Sequence, residues 1–227
     1  MKKLSEGEFI ITSPFGPRIG IVQCPTAVVD IMIQITDELV EKENYKSWGK
    51  NLVGQIKEEP YISNELLKER GVYDFFNNCL YDYVKNVGED IQRLPSGEQI
   101  ELKTGIKNMW SVHMKPGGEY NPLHYHTRCN VSSVLYLKIP TDSPKRNILY
   151  KKDRDGYIEL VDHAKNGAYP HSLDRGTMLI EPTVGTMYIW PSQVLHTVYP
   201  FLGEEERRSV AWNGTFSVED KITGVKL

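Results

Sequence analysis

Cysteine is scarce. Three are present, at positions 24, 79 and 129, and no two form a CxxC pair. A dense disulfide framework is excluded, and reduced, structural thiols are the expectation. Long apolar runs are also missing. No stretch approaches the roughly 20 residues that span a bilayer, so no membrane is expected as a partner. The opening Met1-Lys-Lys-Leu-Ser-Glu-Gly-Glu lacks the apolar centre of a secretion signal, which points to a cytoplasmic protein. Charge of one sign is not in excess either. Lys and Arg number 27 against 30 Asp and Glu, for a net charge of −3, and no basic cluster is long enough to track a phosphate backbone. Nucleic acid is therefore not expected as a partner. No internal repeat or low-complexity segment is found.

What is present is ordinary globular material, 40% apolar and 25% charged, in 227 residues that allow a sizeable core. One domain over 1–227 is expected, with a strand and helix support region over 1–95 and a β core over 96–218. Glu8 to Gln23 reads as two short strands about a Pro/Gly turn. Cys24-Pro25 starts a helix whose apolar positions are Val28, Ile31, Ile35 and Leu39. Residues 44–60 have a mixed pattern, with Asn51 to Ile56 a strand or loop. Ser63 caps a second helix running to about Asn86, and Gly71 kinks or breaks it. These helices are expected to support the outside of a sheet.

Past Gly88 the pattern turns β-rich. Short strands are expected near Gln99–Lys103, Lys107–Met114, Val131–Ile139, Asn147–Lys151, Tyr157–Val161, Thr177–Glu181, Thr186–Trp190, Val198–Phe201 and Arg207–Phe216. So many in about 120 residues make a sandwich or barrel.

Six histidines occur. Three of them, His113, His163 and His171, read as surface or satisfied core residues. The other three stand in informative places. Gly118-Glu-Tyr-Asn-Pro-Leu-His124-Tyr-His126 puts two imidazoles on one face of an extended strand, about 6.5–7 Å apart. Far downstream, Trp190-Pro-Ser-Gln-Val-Leu-His196 offers a third. Three such donors suit iron, zinc, copper or nickel, so the ligands alone do not name the metal. Cys129 falls out of register with the pair and is not taken as a ligand. Further on, in Arg207-Arg-Ser-Val-Ala-Trp-Asn213, alternation places Arg207, Ser209, Ala211 and Asn213 on one face and Arg208, Val210 and Trp212 on the other. If the first face is inward, Arg207 and Ser209 are placed to hold a carboxylate. If it is not, Arg207 pairs with Glu204–Glu206 on the surface.

Together these residues resemble the Fe(II)/2-oxoglutarate-dependent oxygenases, in particular the 2OG-Fe(II) oxygenase branch common in marine bacteria and phages. The resemblance rests on Trp110, the run from His124 to Leu137, the run from Gly185 to His196, and Arg207 to Asn213. It implies a mainly β fold with helices, a double-stranded β-helix or jelly-roll barrel. It also implies that His124, His126 and His196 are catalytic metal ligands. Arg207 and Ser209 would bind the 2-oxoglutarate co-substrate, with Tyr136 as a further contact. The cofactors implied are Fe(II), 2-oxoglutarate and O2, and the activity is that of a dioxygenase. An unidentified substrate C–H bond would be hydroxylated with release of succinate and CO2. If the gene is phage-borne, the location is the host cytoplasm.

The wider superfamily carries a carboxylate where this chain has His126. A metal set of only one of His124 and His126, completed by Asp142 or Asp162, is therefore a competing arrangement.

Two other readings remain at this point. The spacing Gly118-x5-His124-x-His126 and Gly185-x5-Pro191-x4-His196 also fits cupins, metal dioxygenases that do not use 2-oxoglutarate. That family's glutamate beyond HxH and asparagine beyond the last histidine are missing, since positions 130, 131 and 200 are Asn, Val and Pro. The third reading is a non-catalytic β-barrel, a binding or virion-associated module. The substrate, a small molecule or a peptide, is not written in the sequence. The segments expected to select it are Thr141–His171 and Asn44–Ser63, with Tyr125, Tyr188, Trp190 and Tyr199 at the mouth. A homo-oligomer is compatible with the sequence.

Overall fold

Side-chain alternation sorts the apolar residues of this chain into two layers, one on each face of a large sheet. A computed structural model of the protein describes residues 5, 7–12, 16–42, 44–88, 100–142, 154–162 and 176–220. In chain order the elements are β1 (Phe9–Thr12), β2 (Ile19–Gln23), α1 (Thr26–Glu41), β3 (Tyr61–Ile62), α2 (Asn64–Glu69) and α3 (Tyr73–Val87). They continue with β4 (Ile100–Met114), β5 (Asn121–His124), β6 (Val131–Lys138), β7 (Ile158–Val161) and β8 (Thr177–Ile180). The last three are β9 (Thr186–Pro191), β10 (Leu195–Val198) and β11 (Arg207–Asp220). The strands form a seven-stranded sheet, β1-β2-β9-β6-β11-β4-β3, and a four-stranded sheet, β5-β10-β7-β8, with antiparallel pairing throughout. This is the expected double-stranded β-helix.

The two layers follow from period two along the strands. On β6, Leu135 and Leu137 point to the helices, whereas Val134 and Tyr136 point between the sheets. Met187 and Ile189 on β9 likewise face outward, with Tyr188 and Trp190 inward. On β11 the outward pair is Val210 and Trp212, which meet Phe76, Leu80 and Tyr83 of α3 in one cluster. The helices do support the outside of the sheet. Close approach there needs Gly214, because a Cβ at that position would lie 2.6 Å from Leu80 Cδ2.

Gly71, at φ +73, ends the second predicted helix rather than kinking it, leaving α2 and α3. Ser63 caps α2 as expected, its Oγ accepting from the Leu66 amide at 3.1 Å. Three expectations need correction. The strands read at 99–103 and 107–114 are one, because β4 pairs with β11 straight through Gly105. The strand carrying His196 spans Leu195–Val198 rather than Val198–Phe201. The fully buried side of α1 is Val29, Met32, Ile35 and Thr36, with Val28, Ile31 and Leu39 only partly covered. That helix is apolar around most of its girth, so the sheet beneath it chooses the face. Of the strand or loop left open for residues 51–56, the loop is found, following a short 3-10 turn at Gly49–Asn51. The strand expected at 147–151, together with His163 and His171, lies outside the described residues.

Candidate active site

His124 is the last residue of β5, and His196 sits directly across from it on β10, the two being register partners. His126 is past the end of β5 and reaches the cluster another way. Its amide donates to the Ser192 carbonyl at 3.0 Å, which ties residue 126 to the turn after β9. The strand-alternation argument thus gave the right convergence with a wrong local conformation for His126. Ring centroids are 5.2 Å apart for His124–His126, 4.2 Å for His124–His196 and 5.0 Å for His126–His196.

Each imidazole has its Nδ1 turned to an oxygen. His124 Nδ1 lies 2.7 Å from the Pro122 carbonyl, His196 Nδ1 3.0 Å from the Val194 carbonyl, and His126 Nδ1 2.6 Å from Asn213 Oδ1. Such acceptors place the ring proton on Nδ1 and leave the Nε2 lone pairs free. Nε2 of His124 and Nε2 of His126 then face one another at 3.3 Å. Two acceptor lone pairs at that distance repel unless a cation or a proton stands between them.

A proton is disfavoured, because burial lowers the pKa of all three rings. His126 is pushed down to about 4, mainly by burial and also by His124; His124 is lowered; and His196 is held well below the ordinary value by burial and then by both neighbours. One candidate ligand atom from each ring lies within 4.8 Å of the others. Imidazole nitrogens about 2.0–2.1 Å from a common ion stand no more than about 4 Å apart, so a metal ion suits this arrangement. Among the described residues no acid joins the three rings in that cluster. Asp142 instead accepts from the amides of Glu204 and Glu205. Asp142 and Asp162 are both outside that cluster. Cys129 stays out of the cluster too.

The cleft that holds the triad is also lined by Trp110, Trp190, Ser133, Arg207 and Ser209. The inward face of β11 is therefore the one that alternation named. Arg207 is 2% exposed. Its Nε donates to the Gly156 carbonyl at 2.9 Å, one terminal nitrogen lies 3.4 Å from Ser209 Oγ, and the other has no partner. The surface alternative, Arg207 paired with Glu204–Glu206, does not occur. It is Arg208, on the opposite face, that binds Glu206 and Asp37.

Tyr136 is fully buried and its ring lies 5.0 Å beneath the Arg207 guanidinium. Burial raises its phenol to about 12. Tyr136 backs the arginine and is not itself among the cleft-lining residues. A buried arginine with one unpartnered terminal nitrogen, next to three converging imidazoles, offers a place for a small dicarboxylate.

Two residues of the site escaped the sequence reading. Asn213 was placed on the correct face but given no role. It accepts from His126, accepts from Ser132 Oγ at 2.9 Å, and donates to Asn108 Oδ1 at 3.0 Å. Its position in the inward register was the available signal. Glu59, a buried wall of the same cleft, had none, since it lies in the stretch of mixed pattern. Of the four aromatics expected at the mouth, Trp190 lines the cleft, and Tyr125 borders a second one that also takes in His124 and His126. Tyr188 and Tyr199 line neither.

The fold is a double-stranded β-helix, and the site is a three-histidine cluster that could hold a metal ion. Residues 108–213 match the family described as "Putative 2OG-Fe(II) oxygenase". Over that segment the chain resembles the 2OG-Fe(II) oxygenases, a family that uses Fe(II), 2-oxoglutarate and O2. Solved structures agree on the fold. A prolyl-4-hydroxylase from Pseudomonas putida is 15% identical, with 84% of this chain and 88% of that chain covered at a TM-score of 0.51. A Trichoplax adhaerens prolyl hydroxylase, solved with a hypoxia-inducible-factor peptide fragment, is 14% identical (86% and 82% covered, TM-score 0.52). AviO1 from Streptomyces viridochromogenes is 11% identical (87% and 89% covered, TM-score 0.54). No curated protein matches the chain in sequence. Among the described residues, no helix is long and apolar enough to cross a membrane.

Proposed function

We propose that this protein is an Fe(II)- and 2-oxoglutarate-dependent dioxygenase that hydroxylates a C–H bond of a small molecule or peptide. His124, His126 and His196 hold the iron through Nε2, and Arg207 with Ser209 holds the distal carboxylate of 2-oxoglutarate. One observation carries the reading: three metal-ready imidazoles and a buried arginine with an unpartnered terminal nitrogen line the same cleft.

When bound, the iron and the keto acid supply the oxidising chemistry, with succinate and CO2 as co-products. The chain's own residues bind and orient. Pro122, Val194 and Asn213 fix each ring by its Nδ1, so the Nε2 atoms are presented without reorganisation. Gly156 fixes Arg207 by its Nε, which aims the terminal nitrogens into the cleft. Tyr136 supports the guanidinium from behind and keeps water from it. Trp110 and Trp190 pack beside His126 and His196, at 5.8 Å and 5.2 Å between centroids, and keep the metal side of the cleft dry.

Anaerobic addition of Fe(II) and 2-oxoglutarate should give a weak visible charge-transfer band, and Arg207→Ala should lose it. No band in the native protein, or unchanged 2-oxoglutarate affinity in the Arg207→Ala protein, overturns the proposal. Succinate release screened against prolyl peptides, free amino acids and small metabolites then addresses the substrate.

A further inference from the structure

The cleft contains an acid for which the metal and co-substrate reading has no use. Glu59 is 1% exposed, and neither carboxylate oxygen has a hydrogen-bond partner. A polar group buried without partners is costly, and a buried charge more so, unless a ligand supplies the missing contact.

The backbone holds Glu59 firmly in that position. On one side the Pro60 carbonyl accepts from the Ser111 amide at 2.9 Å, and the Glu58 carbonyl accepts from the His113 amide at 3.0 Å. These bonds make residues 58–62 an edge segment along β4. On the other side the Trp48 amide donates to the Glu59 carbonyl at 2.7 Å. Alternation then sends Glu58 outward, where it meets Lys115 at 3.4 Å, and Glu59 inward. Two glycines close over the carboxylate: a Cβ at Gly49 would stand 3.2 Å from Oε2, and one at Gly54 3.5 Å from Oε1. Backbone without side chains covers the acid but offers it no donor.

From this we infer that Glu59 is a substrate-recognition residue and that the substrate bears a cationic nitrogen, an ammonium or a guanidinium. The inference rests on the oxygenase reading only in taking this cleft as the place where substrate binds. Arg207 and the three imidazoles are engaged by the co-substrate and the metal, which leaves Glu59 as the cleft's one ionisable acid. A neutral donor would leave the charge of the carboxylate uncompensated. A cation satisfies the charge as well, and a second acid, Glu119, lies near enough to repel the carboxylate and favour an incoming positive group. Burial and Glu119 raise the Glu59 carboxyl to about 7, so a bound cation is what would hold it ionised at neutral pH.

The test uses small probes. Butylamine and benzylamine are compared with 1-butanol and benzyl alcohol by ligand-observed NMR, on metal-free protein and on protein loaded with Zn(II) and 2-oxoglutarate. The amines should bind the native protein at least about tenfold more tightly than their alcohols, the margin of one charged hydrogen bond. Glu59→Gln should abolish that margin and leave the alcohols unchanged. It should melt no lower than the native protein, because no partner is lost. Equal binding of amines and alcohols to the native protein overturns the inference without any variant. So does a margin that survives Glu59→Gln, or a marked fall in its melting temperature, which would make the acid structural. Binding of 2-oxoglutarate on the same samples reports on Arg207, Ser209 and the metal, and not on Glu59. Its absence would sink the oxygenase reading and leave the amine margin to be judged by itself.

Discussion

Asn213 is the hinge between the long β11 strand and the metal site, and replacing it separates a supported imidazole from an unsupported one. In Asn213→Ala the Nδ1 proton of His126 loses its acceptor at 2.6 Å, and Ser132 Oγ and Asn108 each lose a contact, at 2.9 Å and 3.0 Å. A ring without its outer partner is free to rotate or to adopt the other tautomer. Loss of such a partner costs about 10–100-fold in metal affinity, or about 1.4–2.7 kcal/mol. The two remaining lost bonds reduce the stability of the fold by about 1–3 kcal/mol in total. The effects are distinguishable. Zn(II) affinity is measured by competition with a chromogenic chelator at fixed pH, and stability by urea unfolding of the metal-free protein. Asn213→Asp keeps an acceptor facing His126 while losing the donor to Asn108. It should recover most of the metal affinity without recovering all of the stability. If Asn213→Ala binds Zn(II) as tightly as the native protein, or if Asn213→Asp recovers nothing, outer-sphere support of His126 is refuted.

Three further outcomes are expected. The folded pKa values of His124, His126 and His196 lie below the ordinary value near 6.5, so both states are neutral above it and the stability is full there. Between about 6.5 and about 4 the unfolded chain takes up protons that the folded chain refuses; the urea midpoint of the metal-free protein should fall across that window, and more shallowly in His196→Gln. Thr197 Oγ1 donates to the Asn121 carbonyl at 2.8 Å and pins β5 to β10, so Thr197→Val should weaken Zn(II) binding severalfold while melting almost normally; an unchanged affinity would show that the pin is dispensable. Gly214→Ala forces a Cβ against Leu80 and should destabilise the fold by about 1–3 kcal/mol, with a larger cost than Gly105→Ala, which meets nothing within 4 Å.

The parts of this molecule that were legible in the sequence are those where a periodic strand carries the information. Arg207, Ser209 and Asn213 could be assigned to the inward face because β11 is long, regular and outwardly apolar at Val210 and Trp212. His196 could be paired with the HxH motif because few residue types offer a neutral nitrogen ligand. What the sequence could not show depends on partners. The buried face of α1 is decided by the sheet, since Val28, Val29, Ile31, Met32 and Ile35 offer apolar surface in several directions. Gly105, a residue that punctuates strands elsewhere, is carried through β4 by its pairing with Thr215 on β11. Glu59 was hidden for the same reason: its edge segment has only Tyr61 and Ile62 as formal strand, too short for any pattern to show.

The three histidines are delivered from two places, the β5/β10 pair and the turn after β9, and this is why the site is compatible with an irregular local chain. His124 and His196 come from the smaller sheet, where β5 and β10 share only two register pairs and a bulge between them. That contact alone would hold them loosely. But β10 is paired along its whole length with β7, so His196 is the fixed member, and His124 is referred to it through the Thr197 bond. His126 belongs to neither strand. Its backbone is tied to Ser192, and Ser192 donates in turn to Asn130 through its amide and to Cys129 through its hydroxyl. Its ring is tied to Asn213 on β11 of the large sheet. His126 is therefore the one histidine placed by the large sheet, and the triad closes only while the two sheets keep their separation. Packing between the sheets, by Trp110, Trp190 and Val198 above all, is thereby a determinant of metal affinity as well as of stability.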